Sequence, residues 1–285
     1  MKVFFGGVRG SMPCTGAGFQ EFGGHTTCLL VTGHEGELLM FDTGSGVQVI
    51  NPLLDGAERR HLLVLYTHLH LDHVLGLPNL APLNDRTWRV DLAGSGRTGR
   101  DLATELAKIA SPPLWPIPLG DMGARINFPV LPESVLETKG LPLQHGGLEI
   151  RGTRVPHPGG CLSWRVDEPA TGNSLVFATD LEWSVASDEQ RDDLVNLCRT
   201  PSPAQLLIME GHFTDEELAQ HAGWGHSSAS QAQEVALQAG VKQLVITHHD
   251  PDKDDRRLTA LENELRQEDP HVSLARQGQT LNLGT

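Results

Sequence analysis

The sequence predicts an α/β protein of layered sheets covered by helices, built as one domain over residues 1–285. Three observations carry that prediction. Apolar runs of strand length, LLVLY at 62–66, AQLLIM at 204–209 and LVIT at 244–247, read as strands covered on both faces. Segments with apolar residues at helical spacing are interleaved with them, as layered sheets under helices require. No repeat of fixed period interrupts the chain. Its one linker-like piece, the proline-rich 112–118, is too short to divide it.

The elements follow in order. Residues 3–8 form a first strand, followed by the Gly/Pro-rich loop GSMPCTGAG. Residues 27–32 and 37–41 flank His34, Glu35 and Gly36 as a hairpin. A short helix over 44–54 follows the DTGSG turn, and 62–66 is a buried strand. From 98 to 110 the chain reads as a helix with Leu102, Leu106 and Ile109 on one face, stopped by the prolines after it. Strands are expected at 148–155, 162–166, 175–179, 204–209 and 244–247. Helices are expected at 188–198, at 227–239 with Gly240 as its stop, and at 256–266. Residues 272–275 and 280–283 close a sheet.

Composition narrows the class. With 39% hydrophobic and 20% charged residues the chain reads as a soluble globular protein, and no apolar run approaches the length of a membrane span. The start, MKVFFGGVRG, lacks the long apolar region of a secretion signal. Cys14, Cys28, Cys161 and Cys198 are scattered without C-x-x-C spacing, which implies reduced thiols and a cytoplasmic location. The formal net charge of −14 repels polyanions at long range. No large nucleic acid is therefore expected as a partner, and no membrane; a small anionic substrate stays compatible with this charge, because a bound metal pair would invert the field locally.

The chemistry is concentrated in THLHLDH, residues 67–73, directly after a buried strand. Open sheets place active sites at the carboxyl ends of their strands. His68 and His70 are two apart and point the same way in extended backbone, while Asp72 and His73 sit where the chain turns into a helix. One loop can thus serve two metal ions, with donors suited to Zn(II) and less specifically to Mn(II) or Fe(II). Three later strands also end in a ligand-type residue: RVPHPGG brings His157, VFATD brings Asp180, and LVITHHD brings His248 and His249.

The motif H-x-H-x-D-H followed at a distance by His, Asp and His resembles the metallo-β-lactamase superfamily. The resemblance covers nearly the whole chain and implies a four-layer αββα sandwich with two metals at one edge of the sheets. GVRGSMP with GGHTTC, and the H-S-S string at 226–228, resemble the phosphodiesterase-like branch, which includes ribonuclease Z and cyclic-nucleotide phosphodiesterases. By that resemblance His68, His70 and His157 hold a first metal, Asp72, His73 and His248 hold a second, and Asp180 bridges them. Cysteine at 180 would resemble one group of β-lactamases and glutamate at 70 the redox di-iron branch; aspartate and histidine at these positions favour hydrolysis by a bimetallic centre.

The expected activity is a dinuclear metal-dependent hydrolase, a phosphodiesterase acting on small cyclic nucleotides through a metal-bridging hydroxide. The alternatives are hydrolysis of a lactone, thioester or β-lactam, and a ribonuclease Z-like nuclease. His226 and Asp72 are the catalytic candidates. His226 precedes a helix, whose N-terminal N–H groups favour phosphate. His212, with Glu210 and Thr214 after the same strand, and His25 are weaker candidates for the pocket. His249, with the ligand position given to His248, is assigned to the surroundings. His34, His61, His145, His221 and His271 are read as surface residues, Asp252, Asp254 and Asp255 as a solvated charge run, and Asp42 as a buried turn residue. The string GSGRTG at 94–99 lacks the ending of a phosphate loop and reads as a turn. The exposed run at 114–119 is a candidate homodimer contact.

Overall fold

The structure is a computed structural model that describes residues 1–94, 101–137 and 140–284. Two seven-stranded mixed sheets face each other. The first contains β1 (Lys2–Gly7), β2 (Cys28–Thr32), β3 (Leu38–Phe41), β4 (His61–Tyr66), β5 (Arg89–Gly94), β6 (Arg125–Asn127) and the returning last strand. Within this half lie α1 (Val47–Asp55), α2 (Leu71–Val74) and α3 (Leu102–Ile109). The second sheet contains β7 (Leu143–His145), β8 (Leu148–Val155), β9 (Cys161–Glu168), β10 (Asn173–Ala178), β11 (Leu206–Glu210), β12 (Gln243–Thr247) and β13 (Val272–Leu274). It is interleaved with α4 (Asp188–Arg199), α5 (Asp215–Leu218), α6 (Ala229–Ala239) and α7 (Asp255–Glu268). β14 (Thr280–Asn282) crosses back to the first sheet.

The strand orders are β14-β1-β2-β3-β4-β5-β6 and β13-β12-β11-β10-β9-β8-β7. In each sheet three neighbouring pairs are parallel: β3 to β6 in one, β10 to β13 in the other. Three buried apolar clusters mark the joints between four layers. Phe5, Phe41, Trp164 and Phe177 lie between the sheets. Val47, Ile50 and Leu106 pack helices on the first sheet. Leu194, Val235 and Leu258 pack helices on the second. This is an αββα sandwich of the metallo-β-lactamase kind.

Local chemistry sets the ends that matter. α6 starts at a capping box, in which Ser228 accepts the Gln231 N–H and the Gln231 side chain returns to Ser228, and it stops at left-handed Gly240. α4 begins the same way at Ser187 and Gln190. The expected helix over 98–110 begins at Leu102. Residues 95–100 fall outside the described residues, and with them most of the 94–99 turn. β5, β6 and β7 add strands that the sequence pattern did not reveal. The 114–119 run is not uniformly exposed, because Leu119 is buried against the first sheet's helices. The acidic run is more than a solvated face. Asp254 caps α7, and Asp255 accepts the N–H groups of Gln20, Glu21 and Phe22. His145 is buried and donates from Nε2 to the Leu38 carbonyl.

Candidate metal centre

Strands of both sheets deliver side chains to one shared edge. β3 leads into Asp42, β4 into Thr67, His68 and His70, β8 into His157, β10 into Asp180, β11 into Glu210 and His212, and β12 into His248. Asp42, Asp180 and His248 all leave their strands with φ of 56°. The left-handed region costs a residue with a Cβ about 1–2 kcal/mol, least for Asp, and such strain gathers at functional sites.

The donor atoms form overlapping groups, each within 4.8 Å: His68, His70 and His157; His68, His73 and Asp180; Asp72, His73 and His248; and Glu210, His212, His226 and His248. Asp180 spans the first three. Its Oδ1 lies 3.8 Å from His68 Nε2, 4.0 Å from His157 Nε2 and 3.3 Å from His248 Nε2, while Oδ2 lies 3.2 Å from His73 Nε2. All seven residues that the motif singled out therefore meet here.

Outer hydrogen bonds fix the ring tautomers. His73 Nδ1 donates to Asp42 Oδ2 at 2.8 Å, and His157 Nδ1 donates to the Gly225 carbonyl at 2.8 Å. Thr67 Oγ1 donates to Asp42 Oδ2, which leaves its lone pair to accept from His68 Nδ1 at 3.1 Å. In each ring the Nε2 lone pair then points inward, which is how proteins prepare imidazole for a cation. Gly225 is required beside this arrangement: a Cβ there would stand 2.4 Å from His157 Nδ1.

The donor set fits divalent metal. His68 Nε2 is buried without a protein partner, a costly state unless something else binds it. Asp72 Oδ2, His73 Nε2 and His248 Nε2 lie 3.2–3.3 Å apart in a triangle of electron pairs. Burial works to keep His73 neutral, yet Asp72, Asp180 and Asp42 raise its pKa well above the usual value. A pocket that draws a proton onto a buried ring draws a cation equally. Burial likewise opposes ionisation of Asp72, but His73 and His248 hold its carboxyl well below the usual range.

His226 stands beside this centre at the start of α6, its ring 5.6 Å from that of His157 and 5.2 Å from that of His248. Its Nδ1 faces Glu210 Oε2 at 3.1 Å. Burial would lower its pKa, but Glu210, then Asp180 and Asp72, push it up to about 9. Glu210, grouped with His212 in the sequence as a weaker pocket candidate after a strand, thus stands against His226. The sequence reading passed over Glu182, which clamps the 223–225 loop with both carboxylate oxygens. His212 joins the cluster with Nδ1 donating to the His248 carbonyl. His249 turns away and donates to the Ala275 carbonyl, and His25 pairs with Ser45 outside the clusters.

Facing mixed sheets with a His/Asp cluster at the shared strand edge define a metal-dependent hydrolase. The comparisons agree. The family model described as "Beta-lactamase superfamily domain" matches residues 39–249, and the chain belongs to the metallo-β-lactamase superfamily. A ribonuclease Z of Gemmatimonas aurantiaca is 29% identical, with 87% of this chain and 88% of the relative aligned. The crystal structure of human tRNase Z, short form, superposes with a TM-score of 0.69 at 19% identity over 99% of both chains. Unliganded yeast PDE1 does so with a TM-score of 0.70 at 16% identity, again over 99% of both.

These relatives correct one expectation. The sequence reading excluded a large nucleic acid as partner, but the curated relatives carry the name of a ribonuclease. The charge argument failed because −14 sums the whole chain and sets only the distant field, whereas bound cations invert the field at the site. Among the described residues no helix is long and apolar enough to cross a membrane.

Proposed function

We propose that the chain is a phosphodiesterase that cleaves RNA or nucleotide phosphodiesters at a centre of two divalent cations. His68, His70 and His157 would hold one cation, Asp72, His73 and His248 the other, with Asp180 reaching both. The nitrogen and oxygen donors suit zinc first, then manganese or iron. When bound, such a pair supplies an acidified water and neutralises charge on the phosphoryl oxygens.

The chain's own residues supply the rest. Asp72 serves as ligand and as the acceptor that orients the attacking water. His226, held by Glu210 through Nδ1, donates from Nε2 to the leaving oxygen. The N–H groups opening α6 favour the phosphate beside it. The observation that carries the reading is the Glu210–His226 pair set against the metal ligands: a bond with an alkoxide leaving group needs a proton donor there. RNA is the leading substrate class, after the ribonuclease Z relatives. A small nucleotide, such as a cyclic one, is the second reading, after the superposition on yeast PDE1. A reducing cytoplasm accommodates the four unpaired thiols.

The test compares turnover of bis-p-nitrophenyl phosphate, nitrocefin and a lactone by zinc-loaded protein, followed by tRNA precursors against cyclic nucleotides. Phosphodiester turnover alone is expected. His226→Ala should lose about 10²–10⁴-fold in rate with zinc content unchanged. Equal turnover by that variant, or preference for the lactone, overturns the reading.

A further inference from the structure

We infer that Trp224 is a platform on which a nucleobase of the substrate stacks, beside the phosphate at His226. The inference rests on the phosphodiesterase reading and adds to it the recognition of a base.

An indole 63% exposed stands two residues from His226. Its loop is built to hold it still. Gly223 and Gly225 both have positive φ, 85° and 88°. Their N–H groups donate to the two oxygens of Glu182, a carboxylate only 2% exposed, at 2.8 and 2.9 Å. The Gly225 carbonyl is tied in turn to His157. Such anchoring is unusual for a loop whose tip carries a solvated side chain, since loops free of duty are mobile.

A continuous run of rings connects the indole to the reacting centre. Trp224 meets His221 edge-on at 4.7 Å, and His221 stacks on Phe213 at 4.5 Å. Phe213 then meets His226 edge-on at 6.0 Å. The ring contact of the indole is T-shaped, and the side chain stays 63% exposed. Two exposed apolar side chains also adjoin the ligand loops. Leu71, 63% exposed, lies between His70 and Asp72, and Met12, 61% exposed, follows Ser11, whose N–H donates to Asp72. A phosphate seated at the centre therefore has exposed apolar side chains on neighbouring loops, one of them an indole on an anchored loop. Flat, polarisable bases stack on such a face with little sequence preference, and a rigid indole loses little entropy in accepting one.

The experiment is calorimetric titration of zinc-loaded protein with AMP and, separately, with inorganic phosphate. Wild type is compared with Trp224→Ala and Trp224→Phe, and zinc content is checked in each. AMP is expected to bind wild type about tenfold tighter than phosphate, Trp224→Ala to lose that margin, and Trp224→Phe to recover most of it, all three binding phosphate alike. If AMP binds wild type no tighter than phosphate, or Trp224→Ala binds AMP as wild type does, the platform is overturned and the phosphodiesterase reading stands. If wild type binds neither, the phosphodiesterase reading falls and takes the platform with it.

Discussion

The two ligand groups of the centre differ in kind. The group of His68, His70 and His157 is all imidazole and opens to solvent at His70. The group of Asp72, His73 and His248 is buried throughout, contains a carboxylate of its own, and is backed by Asp42 through His73. A buried site with more negative charge binds a divalent cation more tightly and exchanges it more slowly. The difference teaches that the two groups would hold a cation unequally, the buried one more firmly than the open one.

The largest expected effect breaks the comparison altogether. Asp180 reaches members of both groups, so Asp180→Ala should lose both cations and all phosphodiester turnover, read by metal analysis and initial rates. Retention of one equivalent would show the groups to be independent. A smaller effect sharpens the contrast. Asp42→Asn leaves the shape but weakens the hold on His73, and should cost the buried group about 10–100-fold in metal affinity with the exposed group unchanged. Graded chelation of wild type should then remove zinc in two steps, the second shifted by that substitution.

The smallest effect lies far from the centre and serves as a control. Against the pull of burial, the Thr171 hydroxyl, the His34 N–H and the Asn173 amide hold the Glu168 carboxyl at about 2, down from an ordinary 4.5. A depressed folded-state pKa stabilises above the ordinary value and loses that contribution as pH falls through the folded one. Glu168→Gln should therefore flatten the fall in urea stability between about pH 4.5 and 2, with metal content untouched.

The layered class and the ligand cluster were legible in the sequence because both rest on short-range pattern. Buried parallel strands read as apolar runs, and each run ended in a ligand-type residue. What was hidden depends on pairing across the fold. β5 reads as loop because Asp91 interrupts it, and that carboxylate is satisfied only by His61, Arg89 and Asn127. β6 and β7, at three residues each, are too short to display alternation. The Glu210–His226 pair joins a strand end to a helix start sixteen residues on. Asp42 was recognised as buried, but its three partners, Thr67 N and Oγ1 and His73 Nδ1, come from another loop. His145 looked like a surface residue until Leu38 was found opposite it.

His68, His70, Asp72 and His73 hang from the first sheet, while His157, Asp180 and His248 hang from the second. Each ion drawn into the seam thus buttons one half of the sandwich to the other. Loss of metal would then do more than silence the chain: with the apolar layer left to join the halves, the seam would loosen and thermal endurance would fall.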